Sequence, residues 1–185
     1  YKGSVGDTWV GQGDGSAFGN DASQYPSGIY NRDVDSQRQE IPLGGGQNHS
    51  ANRDCHRDTR CRGIFWRHTF RKPVRIAKVT DGTSNTFMIG EDVPELNLHS
   101  AAFYSNGDWN SGNVPLNWGI NTPPEGIADF VQAWWDAQGY KSRHPGGAHF
   151  CRVDGSVDFV SDSVDNVLYR TSFTRDGAET VAESF

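Results

Sequence analysis

The chain has 185 residues, enough for one domain with a core of its own. Its 23 acidic and 17 basic side chains leave a net charge of -6 with no cluster of Lys and Arg, which argues against nucleic acid and anionic membrane surfaces as partners. No apolar run approaches the ~20 residues that cross a bilayer, so membrane insertion by this chain is not expected.

The 22 glycines are close to twice the usual share of about 7%, and six tryptophans, six tyrosines and ten phenylalanines accompany them. That mixture suggests long loops pinned by aromatic anchors. A first residue of Tyr1 rather than Met is expected of a processed or trimmed polypeptide.

Residues 1–60 are rich in Gly, Asn, Asp, Ser and Arg, with Gly11–Gly15 and Gly44–Gly46 as loop punctuation. The stretch is too long for one connector, so short strands are expected inside it, anchored by Trp9-Val10 and Gly28-Ile29-Tyr30. Asn48-His49-Ser50 is a glycosylation sequon in an exposed loop. Cys55 and Cys61 enclose a short polar loop, which a disulfide would staple in an oxidising compartment. Two reduced thiols, or a metal site adding His56 and His68, are the alternatives, and the short spacings typical of zinc are missing. Cys151, in an apolar strand, reads as a buried thiol.

Ile64-Phe65-Trp66 suggests a short strand, and Arg75–Thr80, mixing charged and apolar residues, suggests another. Asp81-Gly82 makes a turn into the apolar run Thr86–Gly90, which suits a buried strand, and Ala101–Tyr104 is a further candidate. Residues 105–126 read as loop. Ile127, Phe130, Val131, Trp134 and Trp135 then fall on one helical face, between Pro123-Pro124 and Gly139. A strand over Ala148–Val153, an Asp154-Gly155 corner of the two-residue type and a strand over Ser156–Val160 follow. Ser161 or Asp162 can cap a short helix carrying Val164, Val167 and Leu168 and ending near Gly177. The elements add up to an α+β domain: a mostly antiparallel sheet, one or two helices and long ordered loops. The expected core is Ile76, Val79, Phe87, Ile89, Phe130, Val131, Trp134, Phe150, Val157 and Phe159.

Two blocks carry a family resemblance. The first runs from Gly63-Ile64-Phe65 to the string Asp81-Gly82-Thr83-Ser84-Asn85-Thr86 and on to Gly90-Glu91. The second holds His144 nine residues ahead of Asp154-Gly155. Together they resemble the prepilin-type processing-associated H-x(9)-D-G family, which is also a domain-of-unknown-function family. The resemblance implies the soluble head of a pilin-like or pseudopilin-like structural subunit, presented at the cell surface or secreted, with other such subunits as partners. Family precursors carry a cleavage signal and a long apolar helix, which this chain does not contain. The naming of the family also suggests solute binding.

Catalysis is not expected. If residues 148–153 are extended at about 3.3 Å each, the strand alone separates its ends by roughly 20 Å, and His144 and Asp154 would meet only if Pro145-Gly146-Gly147 doubled the chain back. A histidine bonded to loop backbone and a turn-forming aspartate are the better roles. G-x-S-x-G, H-E-x-x-H, P-loop and G-x-G-x-x-G strings are all absent. Asp81–Asn85 reads as a tight turn, with calcium as its rival. Asn106, Asp108 and Asn110 alternate as in calcium loops, and calcium would order a loop-rich head. Trp109 and Trp118, in polar loops, are the candidates for stacking on a glycan, and a secreted glycan- or solute-binding module is the alternative function.

Overall fold

The computed structural model describes residues 1–4, 6, 63–65, 73–96, 109–112, 114–121 and 139–176. Cys55 and Cys61, expected to form a disulfide, and the segments expected to form a strand at Ala101–Tyr104 and a helix around Phe130 lie outside them. Among the described residues five strands form one sheet: β1 (Lys2–Ser4), β2 (Phe87–Gly90), β3 (Trp109–Asn110), β4 (Gly147–Arg152) and β5 (Val157–Ser161). Their order is β3-β1-β2-β4-β5. The β1–β3 pair is parallel and the other three are antiparallel. A short helix, α1 (Asn166–Thr171), follows β5. The domain is therefore α+β and mostly sheet.

One face of the sheet carries the core. Phe87, Tyr140, Phe150, Tyr169 and Phe173 are fully buried together with Ala148 and Val160, and Leu116 is nearly so. Phe173 is the hub: its ring stacks on Tyr140 at 5.0 Å and meets Tyr169 edge-on at 4.9 Å, with Phe87 and Phe150 beyond. Each such pair contributes about 0.5–1.5 kcal/mol beyond its burial. Gly90 lies beneath two of these rings, because a Cβ there would sit 2.5 Å from both Phe150 and Tyr140. Burial pushes the Tyr140 hydroxyl far above its ordinary range, so it stays protonated and donates to the Asn110 carbonyl.

Several expectations need correction. Arg75–Thr80 is no strand: Ile76–Lys78 is a 3₁₀ turn, closed by the Val79 amide donating to the Ile76 carbonyl at 2.9 Å. Val79 ends the turn with non-helical backbone and is buried, while Ile76 at its start is 74% exposed, so only one of the two is core. Gly63 and Ile64 form a bend rather than a strand, and the Ile64 and Phe65 amides both donate to the Ser4 carbonyl of β1. Val157 and Phe159 are exposed, not core. Pairing of Phe150 with Asp158 and of Ala148 with Val160 puts the even-numbered side chains of β5 on the core face, and register leaves no choice for the odd ones. Ile89 and Phe87, two apart, would share a face in a regular strand. A register shift between them turns Phe87 to the core and leaves Ile89 half-buried beside Cys151. Cys151 lies on that outer face and is half-buried, not enclosed.

The 105–126 stretch contains β3, which adds to β1 with Gly3 opposite Trp109. Asp165, rather than Ser161 or Asp162, caps α1, its carboxylate accepting the Leu168 amide at 3.0 Å. The helix stops at Thr171, where the Thr171 and Ser172 hydroxyls both donate to the Leu168 carbonyl.

Candidate functional site

The two sequence blocks meet at one corner of the sheet. Residues 81–85 turn ahead of β2, with the Asn85 side-chain Nδ2 donating to the Asp81 carbonyl at 2.9 Å and the Thr86 hydroxyl to the Gly82 carbonyl at 3.0 Å. From the other block, the amides of Val153 and Asp154 donate to the carbonyls of Thr86 and Thr83, at 2.9 and 3.1 Å. The Asp154 carboxylate accepts both the amide and the hydroxyl of Ser156. Those bonds hold its pKa below the ordinary aspartate value. Asp81 accepts the Thr174 hydroxyl, Gly82 supplies a positive φ of 101°, and Ser84 stands exposed at the tip.

The β4–β5 corner differs from the two-residue type. Gly155 donates to the Arg152 carbonyl and Arg152 to the Ser156 carbonyl, so the loop is Val153-Asp154-Gly155. Only Gly155 in it has positive φ, at 89°. This is a turn closed by a glycine bulge, and Asp154 keeps an ordinary backbone.

His144 does not bond to loop backbone through its ring. Its Nε2 lies 3.2 Å from Oε1 of Glu91. His149, in β4, places Nδ1 at 3.6 Å from Oε2 of the same carboxylate, and its own amide donates to that oxygen at 2.8 Å. The two imidazoles meet edge to face at 5.0 Å. Glu91 directly follows β2, where its amide donates to the His149 carbonyl and its carbonyl accepts the Lys141 amide. Burial raises the Glu91 pKa, but the His149 amide, the Ser142 hydroxyl and the two imidazoles outweigh it, so the carboxyl sits below its ordinary range.

The loop bearing His144 is clamped by Asn117, a residue with φ of 59°. Its Oδ1 accepts the Ser142 amide at 2.7 Å and its Nδ2 donates to Asp162 at 2.6 Å, while the Asp162 amide donates to the Gly146 carbonyl. Ser142 in turn accepts the His144 amide. A groove of about 450 Å³ opens beside Glu91 and His144, with Asp92, Glu95, Lys141 and Arg143 among its walls. Arg143 and Glu95 form an ion pair across it.

Glu91, His144 and His149 offer one donor atom each, all within 4.8 Å of one another. Two nitrogens and one oxygen suit a transition metal, whereas calcium takes six to eight oxygens. The sequence-predicted calcium residues are elsewhere. Asn110 is buried, with its Nδ2 donating to the Gly139 carbonyl, and Asn106 and Asp108 lie outside the described residues. Trp109, at 6% exposure, has no open ring face for a sugar, because β3 carries it into the sheet. Trp118 is half-buried.

Sequence reading missed Glu91 and His149. Glu91 looked like the end of a motif and His149 like one position of a strand. The available signal was the pair of histidines five residues apart across Gly146-Gly147, where φ of 80° at Gly146 bends the chain back on itself.

Residues 16–167 match the family described as Protein of unknown function (DUF1559). That span is well over half of the 185 residues, so the chain belongs to this family. No curated protein and no solved structure matches it.

Proposed function

We propose that this DUF1559 member is the structural head of a pilin-like subunit of the H-x(9)-D-G type, exposed outside the cytoplasm and assembling with other such subunits. The observation that carries the reading is how the signature residues are used. The Val153 and Asp154 amides bond to the Thr86 and Thr83 carbonyls, so the two signature blocks brace each other. The Asp154 carboxylate is occupied by Ser156, and His144 faces Glu91 instead. An aspartate committed to its own turn, between two blocks bonded backbone to backbone, suits a scaffold.

The outer face of the sheet suits an assembling subunit as well. Val157 and Phe159 are 61% and 45% exposed on β5, and β5 has no further strand beside it among the described residues. A bare apolar edge invites pairing with a second copy. The test is a photo-crosslinker at Val157 in the intact protein within the producing cells. Crosslinks between copies in the envelope fraction are expected. A monomer confined to the cytoplasm would overturn the reading.

Solute binding is the second reading, favoured by the groove of about 450 Å³ with charged walls beside Glu91. Saturable binding of a small solute, abolished by Arg143→Ala, would promote it over assembly.

A further inference from the structure

We propose that Glu91, His144 and His149 bind one divalent transition-metal ion of the zinc class. The inference does not depend on the pilin-like reading, since it rests on three donors and their surroundings. Their donor atoms lie within 4.8 Å of one another.

Direct hydrogen bonds do not close this cluster, because only one of the two imidazoles reaches the carboxylate within hydrogen-bond range. At 3.6 Å, His149 Nδ1 is too far from the Glu91 carboxylate for a hydrogen bond. The oxygen it approaches, Oε2, already accepts the His149 amide at 2.8 Å. That leaves Oε1 facing His144 Nε2 at 3.2 Å. Neighbouring donors in a tetrahedral zinc site are about 3.3 Å apart, given metal–ligand bonds near 2.0–2.2 Å. One of the three donor–donor edges, Oε1 to Nε2, is therefore close to its final length. The two edges that involve His149 shorten by ring rotation, which exposures of 53% and 41% leave room for.

The donors are also supported as metal ligands are. Glu91 is the least exposed of the three, at 13%, and is fixed by the His149 amide and the Ser142 hydroxyl. Nitrogen-rich donors select zinc, cobalt, nickel or copper over calcium and magnesium. Three protein ligands leave a coordination position open to water on the groove side of His144.

The experiment is calorimetric titration of the purified, chelator-stripped protein with Zn2+, and Co2+ absorption as a second readout. One equivalent should bind at this site, with the visible bands of four-coordinate Co2+, and a large excess of Ca2+ should not displace it. His144→Ala and His149→Ala should each weaken that equivalent more than tenfold, since even lost outer-shell partners cost 10–100-fold. Cys151→Ser should leave it intact. His144 is exposed, so its replacement should preserve folding, which thermal unfolding in chelator checks. An equivalent that survives both histidine substitutions, or that disappears in Cys151→Ser, would overturn the assignment, as would no binding at all.

Discussion

Glu91 shows how one side chain can be bound up in several interactions at once. Its folded pKa lies below its ordinary value of 4.5, so the folded state holds that proton less tightly than the unfolded chain. Its contribution to stability is complete above about 4.5 and is lost as pH falls through the lower, folded value. Denaturant midpoints followed with pH in chelator should therefore decline on the acid side for the wild type. Glu91→Gln should decline less. An equal acid slope in both proteins would show that the carboxylate is not favoured by its neighbours. Phe150 makes a second prediction at this scale, because it is fully buried and touches Phe87, Tyr140, Tyr169 and Phe173. Phe150→Ala should cost about 3–5 kcal/mol in urea unfolding. Gly90→Ala should cost about 1–3 kcal/mol by crowding the same rings.

The β4–β5 hairpin is the element that the sequence described best. Alternation and the Asp-Gly pair located both strands to within a residue or two, and Asp81-Gly82 located the turn before β2. Local chemistry decides such turns, which is why they could be read. The face of β5 could not be read, because Val157, Phe159 and Val160 are all apolar and only pairing with Phe150 and Ala148 selects Val160. The bulge separating Phe87 from Ile89 has no local marker either. The candidate site was hidden for the same reason: Glu91 and His149 are 58 positions apart and meet only because β2 pairs with β4. Turn geometry can be tested directly. Gly155→Val places a branched side chain at φ of 89° and should destabilise the fold by about 1–2 kcal/mol. Gly155→Asn should be milder, because asparagine tolerates positive φ. Equal costs for both, measured by chemical denaturation, would contradict the bulge.

At the scale of the whole domain, an aromatic core covers one sheet face, while Val157, Phe159 and the half-buried Ile89 and Cys151 populate the other. A double substitution, Val157→Ser with Phe159→Ser, should leave the unfolding midpoint nearly unchanged, since neither side chain is in the core. The same variant should lose copy-to-copy crosslinking. A large drop in stability instead would mean that this face is covered within the monomer. The pilin-like reading is tested most directly by mass spectrometry of the mature protein from its native cells, together with the reading frame that encodes it. The account predicts a prepilin-type cleavage site followed by an apolar helix that leads into this domain. An ordinary secretory signal peptide, or a cytoplasmic start with no apolar segment ahead of the domain, would contradict it.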